Sequence, residues 1–499
     1  MLWKALNVVV LPIVVAICLL GNFTAGNIAP SRDIVGDVLS VVREHGAQWI
    51  LELGVVLSCV IFILLQNRQT AGTFWDFDAR DLWLVGIAVI GLLGYFSYRT
   101  YLESFQAFTM FAGMALGKGT SLWTSWAAKL CQLRVGNLTS IILLIIICNS
   151  GTWIIWPLGT IYQYQEQMRW SGIWENPNIY GLLVGVGITI AFGLLAYSYG
   201  AIRAGETSAC KCKVWRLSAL GLLGMSIGSM GLGLVRSYSR GAWVATVCGV
   251  FYLLALLSRN WRVWQCIALE RGHENDVSCA HPHGLRLVAW LHRNRSQLCG
   301  ILLVVGFVAV SHLRNTEQLF ARRAFSALNT VDFSWRNRIA AWEGALQITA
   351  EHPLLGTGWG KPEPLFGHYY MPPKLNESAA IEMNDYFMLG ATLGIPALFC
   401  FCMYLWLSLT RKAESGKQKA EIREADWLQT TCRAGAVVLL IGFWFDGGLF
   451  KLPTAATFWI LLELGAAAPS QSHTVTAISK EDPCPILNPV NSVNPVFPL

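Results

Sequence analysis

Two stretches decide the fold: LTSIILLIIICNSGTWII at residues 138–155 and IYGLLVGVGITIAFGLLAYSYGAI at residues 179–202, neither of which contains a charged side chain. A bilayer core is crossed by about 20 apolar residues, with a range near 17–25. Lipid supplies no hydrogen-bond partners, so a segment of this kind has to satisfy its own backbone as a helix. Working outward, apolar runs predict spans over 5–21, 49–65, 82–98, 101–117, 138–156, 178–199, 217–235, 241–258, 298–313, 386–409, 434–448 and 452–466. The expected class is an all-α integral membrane protein of about twelve transmembrane helices. Composition points the same way: 54% of residues are hydrophobic and 13% charged, against about 25% charged in a soluble domain.

Orientation follows from Lys and Arg in the short connections. The connection 259–297 carries Arg259, Arg262, Arg271, Arg286, Arg293 and Arg295. The connection 410–433 carries Arg411, Lys412, Lys417, Lys419, Arg423 and Arg433. Arg203, Lys211, Lys213 and Arg216 mark a third basic loop. With these spans all three fall on one side, together with Lys4, Arg68 and Arg80. That side is the cytoplasm, and both termini lie there. Lys4 followed by an apolar core ending near Gly21 reads as a retained anchor rather than a cleaved signal peptide. The formal charge of +7 forms no dedicated basic patch, so nucleic acid is not an expected partner; membrane lipids are. The segment 119–135, with Trp123, Trp126, Lys129 and Arg134, reads as an interfacial helix. The tail 467–499, rich in Pro, Ser and Asn, reads as disordered.

The fourteen cysteines form no framework: Cys18, Cys59, Cys148, Cys248, Cys400 and Cys402 lie in apolar runs, where Cys acts as a small hydrophobe. His273, Cys279, His281 and His283 have no standard zinc spacing and read as a solvated loop, so no metal is expected.

The same topology leaves residues 314–385 as one large extracytoplasmic loop. It is far longer than an ordinary connection, and loops of that length are usually functional or disordered. Arg338, Ile339, Trp342, Leu346 and Ile348 suggest an apolar helical face stopped by Pro353, hence an ordered helical cap. Arg236 and Arg240 sit in a short outer turn, and Arg322, Arg323, Arg336 and Arg338 sit in the loop. One such arginine alone is best read as snorkelling to headgroups. Several near one loop fit an anionic ligand, because guanidinium forks bind phosphate bidentately and stay charged.

Three strings sharpen this reading. Ser237-Tyr238-Ser239-Arg240-Gly241-Ala242-Trp243 opens a membrane helix. Arg338 to Trp342 is followed by Pro353-Leu354-Leu355-Gly356-Thr357-Gly358-Trp359-Gly360. Asn384-Asp385-Tyr386, then Leu389 and Leu393-Gly394-Ile395, opens the next span. Taken singly, they read as a Ser cap, a helix closed by Pro with a Gly turn, and a polar cap. The Gly turn is not a nucleotide loop, since no strand precedes it and no Lys-Ser/Thr follows.

In this order the strings resemble the O-antigen ligase and polymerase superfamily of bacterial envelope glycosyltransferases, from Asn176-Pro177-Asn178 to the end of the last span. The resemblance implies a bundle of about a dozen helices in the bacterial inner membrane, with a large periplasmic loop over a lipid-facing cavity. It implies transfer of glycan from an undecaprenyl diphosphate carrier to lipid A core or another glycan, without cofactor or metal. Residues 1–175 then hold N-terminal transmembrane helices, 176–466 the ligase-like region with loop 314–385, and 467–499 a cytoplasmic tail. Arg240 and Arg338 match arginines implied to grip the carrier diphosphate, with Arg236, Arg322, Arg323 and Arg336 as auxiliaries. One position departs: the family's histidine before the asparagine, implied to be the base, is Met383 here. Methionine accepts no proton, so Glu382, Asp385 and His368 are the replacement candidates, while His352 before Pro353 reads as structural. Alternatives are a polymerase of the same superfamily, a transporter of lipid-linked glycan, and an inactive carrier-binding relative.

Overall fold

The computed structural model describes residues 79–98, 110, 113–118, 161–164, 167–174, 176–203, 210–272, 333–358, 384–410, 421–445 and 447–466. Among them eight helices and one hairpin follow in order: α1 Ala79–Tyr98, β1 Ile161–Tyr164, β2 Gln167–Trp170, α2 Pro177–Arg203, α3 Cys210–Arg236, α4 Arg240–Gly272, α5 Phe333–Glu351, α6 Asp385–Thr410, α7 Glu421–Gly442 and α8 Leu452–Ala466. The strands pair antiparallel, with Ile161 opposite Trp170 and Tyr164 opposite Gln167. Three described segments are long and apolar enough to cross a membrane, Pro177–Ala196, Arg240–Leu257 and Asp385–Thr410, and Leu452–Ala466 is a shorter apolar helix. The protein is mostly helical and built for a membrane.

α2 is the hub. Its residues 179–191 are buried on every side, as expected of a helix apolar all round. Asn176 starts it by accepting the N–H groups of Asn178 (2.9 Å) and Ile179 (3.3 Å), with Pro177 at the first helical position. α2 packs on α3, α4 and α7. α7 runs antiparallel to it: Gly442 lies against the Leu182 side chain, while Trp427 Nε1 donates to the Gly193 carbonyl at 2.8 Å. Asn176, the α3–α4 turn and the end of α7 therefore share one end of the bundle.

The opposite end is tied by buried charge. Glu463 on α8, with its side chain 3% exposed, pairs with Lys118 at 3.0 Å and Arg80 at 3.8 Å. It also accepts the Tyr404 hydroxyl, and Lys118 pairs with Asp81. This network joins α1, α6, α8 and the helical stretch 113–118, and each ion is compensated, as charges inside a bundle require.

α5 descends beside α6. Trp342 meets Phe387 with ring centroids 5.9 Å apart, and Thr349 lies against Gly390. The turn after α5 then reaches Ala391–Ile395, roughly 15 Å along α6 from its start at 1.5 Å per residue. There α6 is broken: Gly394 has φ 80° and ψ 175°, and Pro396 follows. The break is stitched by the turn. Ile395 N–H donates to Pro353 O at 2.8 Å, and Ala391 O accepts Thr357 N–H at 2.9 Å. Irregular backbone inside a membrane bundle is tolerated only when protein satisfies it, as here.

Several expectations need correction. The expected span 434–448 is misplaced: α7 starts at Glu421 and ends at Gly442, and the chain turns over 443–445. Charges in its first turns hid the helix from a hydropathy reading. Likewise Lys211, Lys213 and Arg216 lie in the first turns of α3, and Arg259, Arg262 and Arg271 lie in α4, rather than in loops. Helices simply continue past the apolar limit when no Gly or Pro stops them. The face expected on α5 is also reversed in part. Ile348 is buried with Ala341 and Ala345, whereas Ile339 is 37% and Leu346 51% exposed. Spans 5–21, 49–65, 138–156 and 298–313, helix 119–135, most of 101–117 and the tail lie outside the described residues.

A Cβ on Gly394 would lie 2.6 Å from the Leu354 carbonyl at a φ only glycine adopts easily. Gly394→Ala is expected to destabilise by about 3 kcal/mol. Gly221→Ala, where a Cβ meets nothing within 4 Å, is expected to be neutral or stabilising by at most ~1 kcal/mol. Thermal unfolding in detergent checks both; equal melting of the two variants would show that the turn does not brace the break.

Candidate functional site

The Ser237–Arg240 turn is built from its own side chains. Ser237 N–H donates to Gly233 O (2.9 Å) and its hydroxyl to Leu234 O (2.7 Å). Ser237 Oγ in turn accepts Ser239 N–H at 3.2 Å. Ser239 caps α4 by accepting Ala242 N–H at 3.4 Å, and Trp243 Nε1 donates back to Leu234 O at 2.8 Å. Tyr238 is left with φ 49°, a left-handed conformation that a non-glycine residue holds only under constraint. Ser237 and Ser239 are buried.

The two arginines of this turn differ electrostatically. Arg236 ends α3 and is exposed, where the partial negative charge of a helix C-terminus suits a cation. Arg240 opens α4 and is half-buried. A cation there adds to the positive helix end, and the two together favour an anion.

From the turn a row of contacts runs across the same end of the bundle. Gly181 of α2 faces Ser237 and Ala242, Gly442 faces Leu182, and the segment after α7 meets the start of α6. There Asn384 caps α6 by accepting Tyr386 N–H (3.0 Å) and Phe387 N–H (3.1 Å). Those two bonds settle which side-chain atom is the oxygen, and the buried Nδ2 has no hydrogen-bond acceptor among the described residues. Asp385 is fully buried; its N–H donates to Phe443 O at 3.0 Å, and its Oδ2 accepts Gly448 N–H and Leu449 N–H at 2.8 Å each. Tyr386 donates its hydroxyl to Leu440 O at 2.6 Å. Trp444 lies 5.6–6.0 Å from the rings of Phe387, Tyr386 and Trp342.

Of the sequence candidates, Arg236 and Arg240 share the turn, and Asp385 belongs to the row of contacts at that end. Arg338 is half-buried on α5, one turn before Trp342, and Arg336 lies on the same helix. Arg322, Arg323, His368, Glu382 and Met383 fall outside the described residues. Sequence reasoning missed Arg169, which reaches this turn from β2, and the clamp made by Asp385. The neighbouring Ile161-Tyr162-Gln163-Tyr164 hinted at a strand in a chain of helices, but not at the acceptors that Arg169 reaches. Among the described residues no group of three His, Cys, Asp or Glu could hold a metal ion.

Fold and site together define a helical membrane protein with arginines gathered at one end of its bundle. Residues 223–402 match the family described as O-antigen ligase, which supports an O-antigen ligase/polymerase-like character for that region. In a comparison with curated proteins, nothing matches.

Removing the Asp385 carboxylate would strand two buried N–H groups. Asp385→Ala is expected to cost about 3 kcal/mol, and Asp385→Asn, which keeps a carbonyl oxygen, about 1 kcal/mol. The order is read from thermal unfolding; melting of both variants at the wild-type temperature would dismiss the clamp.

Proposed function

We propose that this chain transfers glycan from an undecaprenyl-diphosphate carrier to a lipid or glycan acceptor, in the manner of an O-antigen ligase. The observation that carries the reading is Arg240: a guanidinium on the first residue of α4, in a turn buttressed by buried serines, inside the region that matches the family. That region also contains Arg236, Arg322, Arg323, Arg336 and Arg338.

The chemistry needs such a site. The sugar–phosphate bond breaks, the acceptor hydroxyl forms the new glycosidic bond and loses its proton, and the diphosphate leaves with added negative charge. Fixed cations in a water-poor setting stabilise that charge as it develops. Arg240 and Arg338 hold the diphosphate in this scheme, with Arg236, Arg336, Arg322 and Arg323 as flanking charges. Asp385 spends one oxygen on two backbone N–H groups, so we assign it to framing the start of α6. Glu382 and His368 stand as the proton acceptors in place of the residue at Met383. The reading places the α4 start at the periplasmic face of the inner membrane, both termini in the cytoplasm, twelve spans in all, and 314–385 as the periplasmic loop. It keeps 1–175 as N-terminal helices and 467–499 as the tail.

The break in α6 supports a second reading, a transporter of the lipid-linked glycan, since broken helices mark many transport sites. Here the turn 353–357 already occupies the break, which favours the transferase.

In purified membranes or proteoliposomes supplied with the lipid diphosphate glycan and acceptor, Arg240→Ala and Arg338→Ala are each expected to lower turnover about 100-fold or more. Arg240→Lys keeps charge without the fork and is expected to retain about a tenth. Wild-type turnover in either Ala variant would remove that arginine from the scheme. Carrier translocation without bond formation would instead support the transporter.

A further inference from the structure

Arg169 lies on β2 opposite Tyr162, outside the region that matches the family. Its guanidinium makes two directed bonds to different elements: Nε donates to Ser237 O at 2.9 Å, and Nη2 donates to Asn178 Oδ1 at 2.9 Å. The first acceptor is the carbonyl of the peptide that leads into Tyr238, the residue with φ 49°. The second is a side chain on the first turn of α2, the central helix. Arg169 thus bridges α2 and the α3–α4 turn. A planar fork can hold both acceptors at fixed angles, which a lysine ammonium on its flexible stem does not reproduce.

We propose that Arg169 is a positioning residue for Arg240. By holding the Ser237 carbonyl against α2 it keeps the Tyr238 backbone in its left-handed conformation, and so sets where the first residue of α4 presents its side chain. The hairpin β1–β2 is then a brace for the anion site rather than a surface ornament. This inference rests on the diphosphate role given to Arg240 above. It also adds a third guanidinium beside the starts of α2 and α4, so a charge effect and a geometric effect have to be separated.

The experiment is turnover of the full-length protein with saturating and limiting lipid diphosphate glycan, for Arg169→Gln, Arg169→Lys and Asn178→Ala. Placement errors of about an ångström in a catalytic group cost on the order of 100-fold. Arg169→Gln and Arg169→Lys are both expected to lower kcat about 10- to 100-fold with KM changed by less than about threefold, and Asn178→Ala to lower it less. In the Arg240→Lys background, Arg169→Gln is expected to add less than about a twofold loss, because the two act through one group. Near-wild-type activity of Arg169→Lys would overturn positioning in favour of charge alone. Equal losses in both backgrounds would overturn it in favour of a general structural role. If Arg169→Gln does not fold, Arg169→Lys and Asn178→Ala carry the test, and wild-type kcat in both overturns the proposal. Full turnover in Arg240→Ala, by contrast, refutes the diphosphate reading itself and separates that failure from this one.

Discussion

The break in α6 and the turn that fills it constrain everything else at the bundle's functional end. A proline at position 396 deprives Thr392 of its helical donor, and Gly394 turns the chain so that Ile395 can no longer reach Ala391. In lipid those groups have no water to turn to. Ile395 N–H and the Ala391 carbonyl are satisfied because the Pro353–Thr357 turn offers one carbonyl and takes one in return. The two sequence strings, separated by some thirty residues and read at first as independent caps, are one backbone-bonded unit. Their glycines follow from that: Gly356 packs against the Thr392 backbone, where a Cβ would lie 2.5 Å from Ala391 O. The position of α5, and with it Arg338, is thereby tied to α6.

The two ends of the bundle handle charge differently. Arg80, Lys118, Asp81 and Glu463 form a set of two cations and two anions, with Arg80 and Glu463 buried and Lys118 and Asp81 partly exposed. Such a set holds helices together and has no call for a ligand. At the other end the carboxylate of Asp385 is engaged by backbone N–H groups, while Arg240 adds its charge to a helix N-terminus. A balanced cluster is a structural solution, whereas in the proposed scheme Arg240 and the α4 N-terminus together favour an incoming anion.

How much of this was legible in the sequence depends on the periodicity each feature carries. α2 and α6 could be read directly, because uninterrupted apolar runs have one stable form in lipid. The first half of α7 was misread since its helix enters through Glu421, Arg423 and Asp426, and hydropathy registers solvent preference rather than hydrogen bonding. On α5 the large residues Ile339 and Leu346 suggested the buried face, whereas Ala341, Ala345 and Ile348 are the residues buried there. Arg236, Arg240 and Arg338 were legible as unusual charges. Arg169 was not, because its importance lies in two acceptors on other elements, 68 and 9 residues away, and no local pattern encodes that pairing.

The residues that cap helices here and those that bear charge are not rival explanations of the same strings. Ser239 and Asn384 behave as ordinary N-caps, and Asn176 does the same for α2. Capping fixes the backbone of the first turn, and a side chain on that turn inherits the fixed frame. Arg240 is one residue past its cap, so its guanidinium sits on a rigid element rather than a free loop. In the proposed scheme a phosphate there would be held by a helix end as well as by an arginine, and both would lose their aim if the cap slipped. That is why the turn is reinforced from so many directions: two serines and an indole from within, and the hairpin arginine from outside. On the proposed reading, precision at an anion site here would be a property of the capped turn, and the arginine would supply the charge that the turn points.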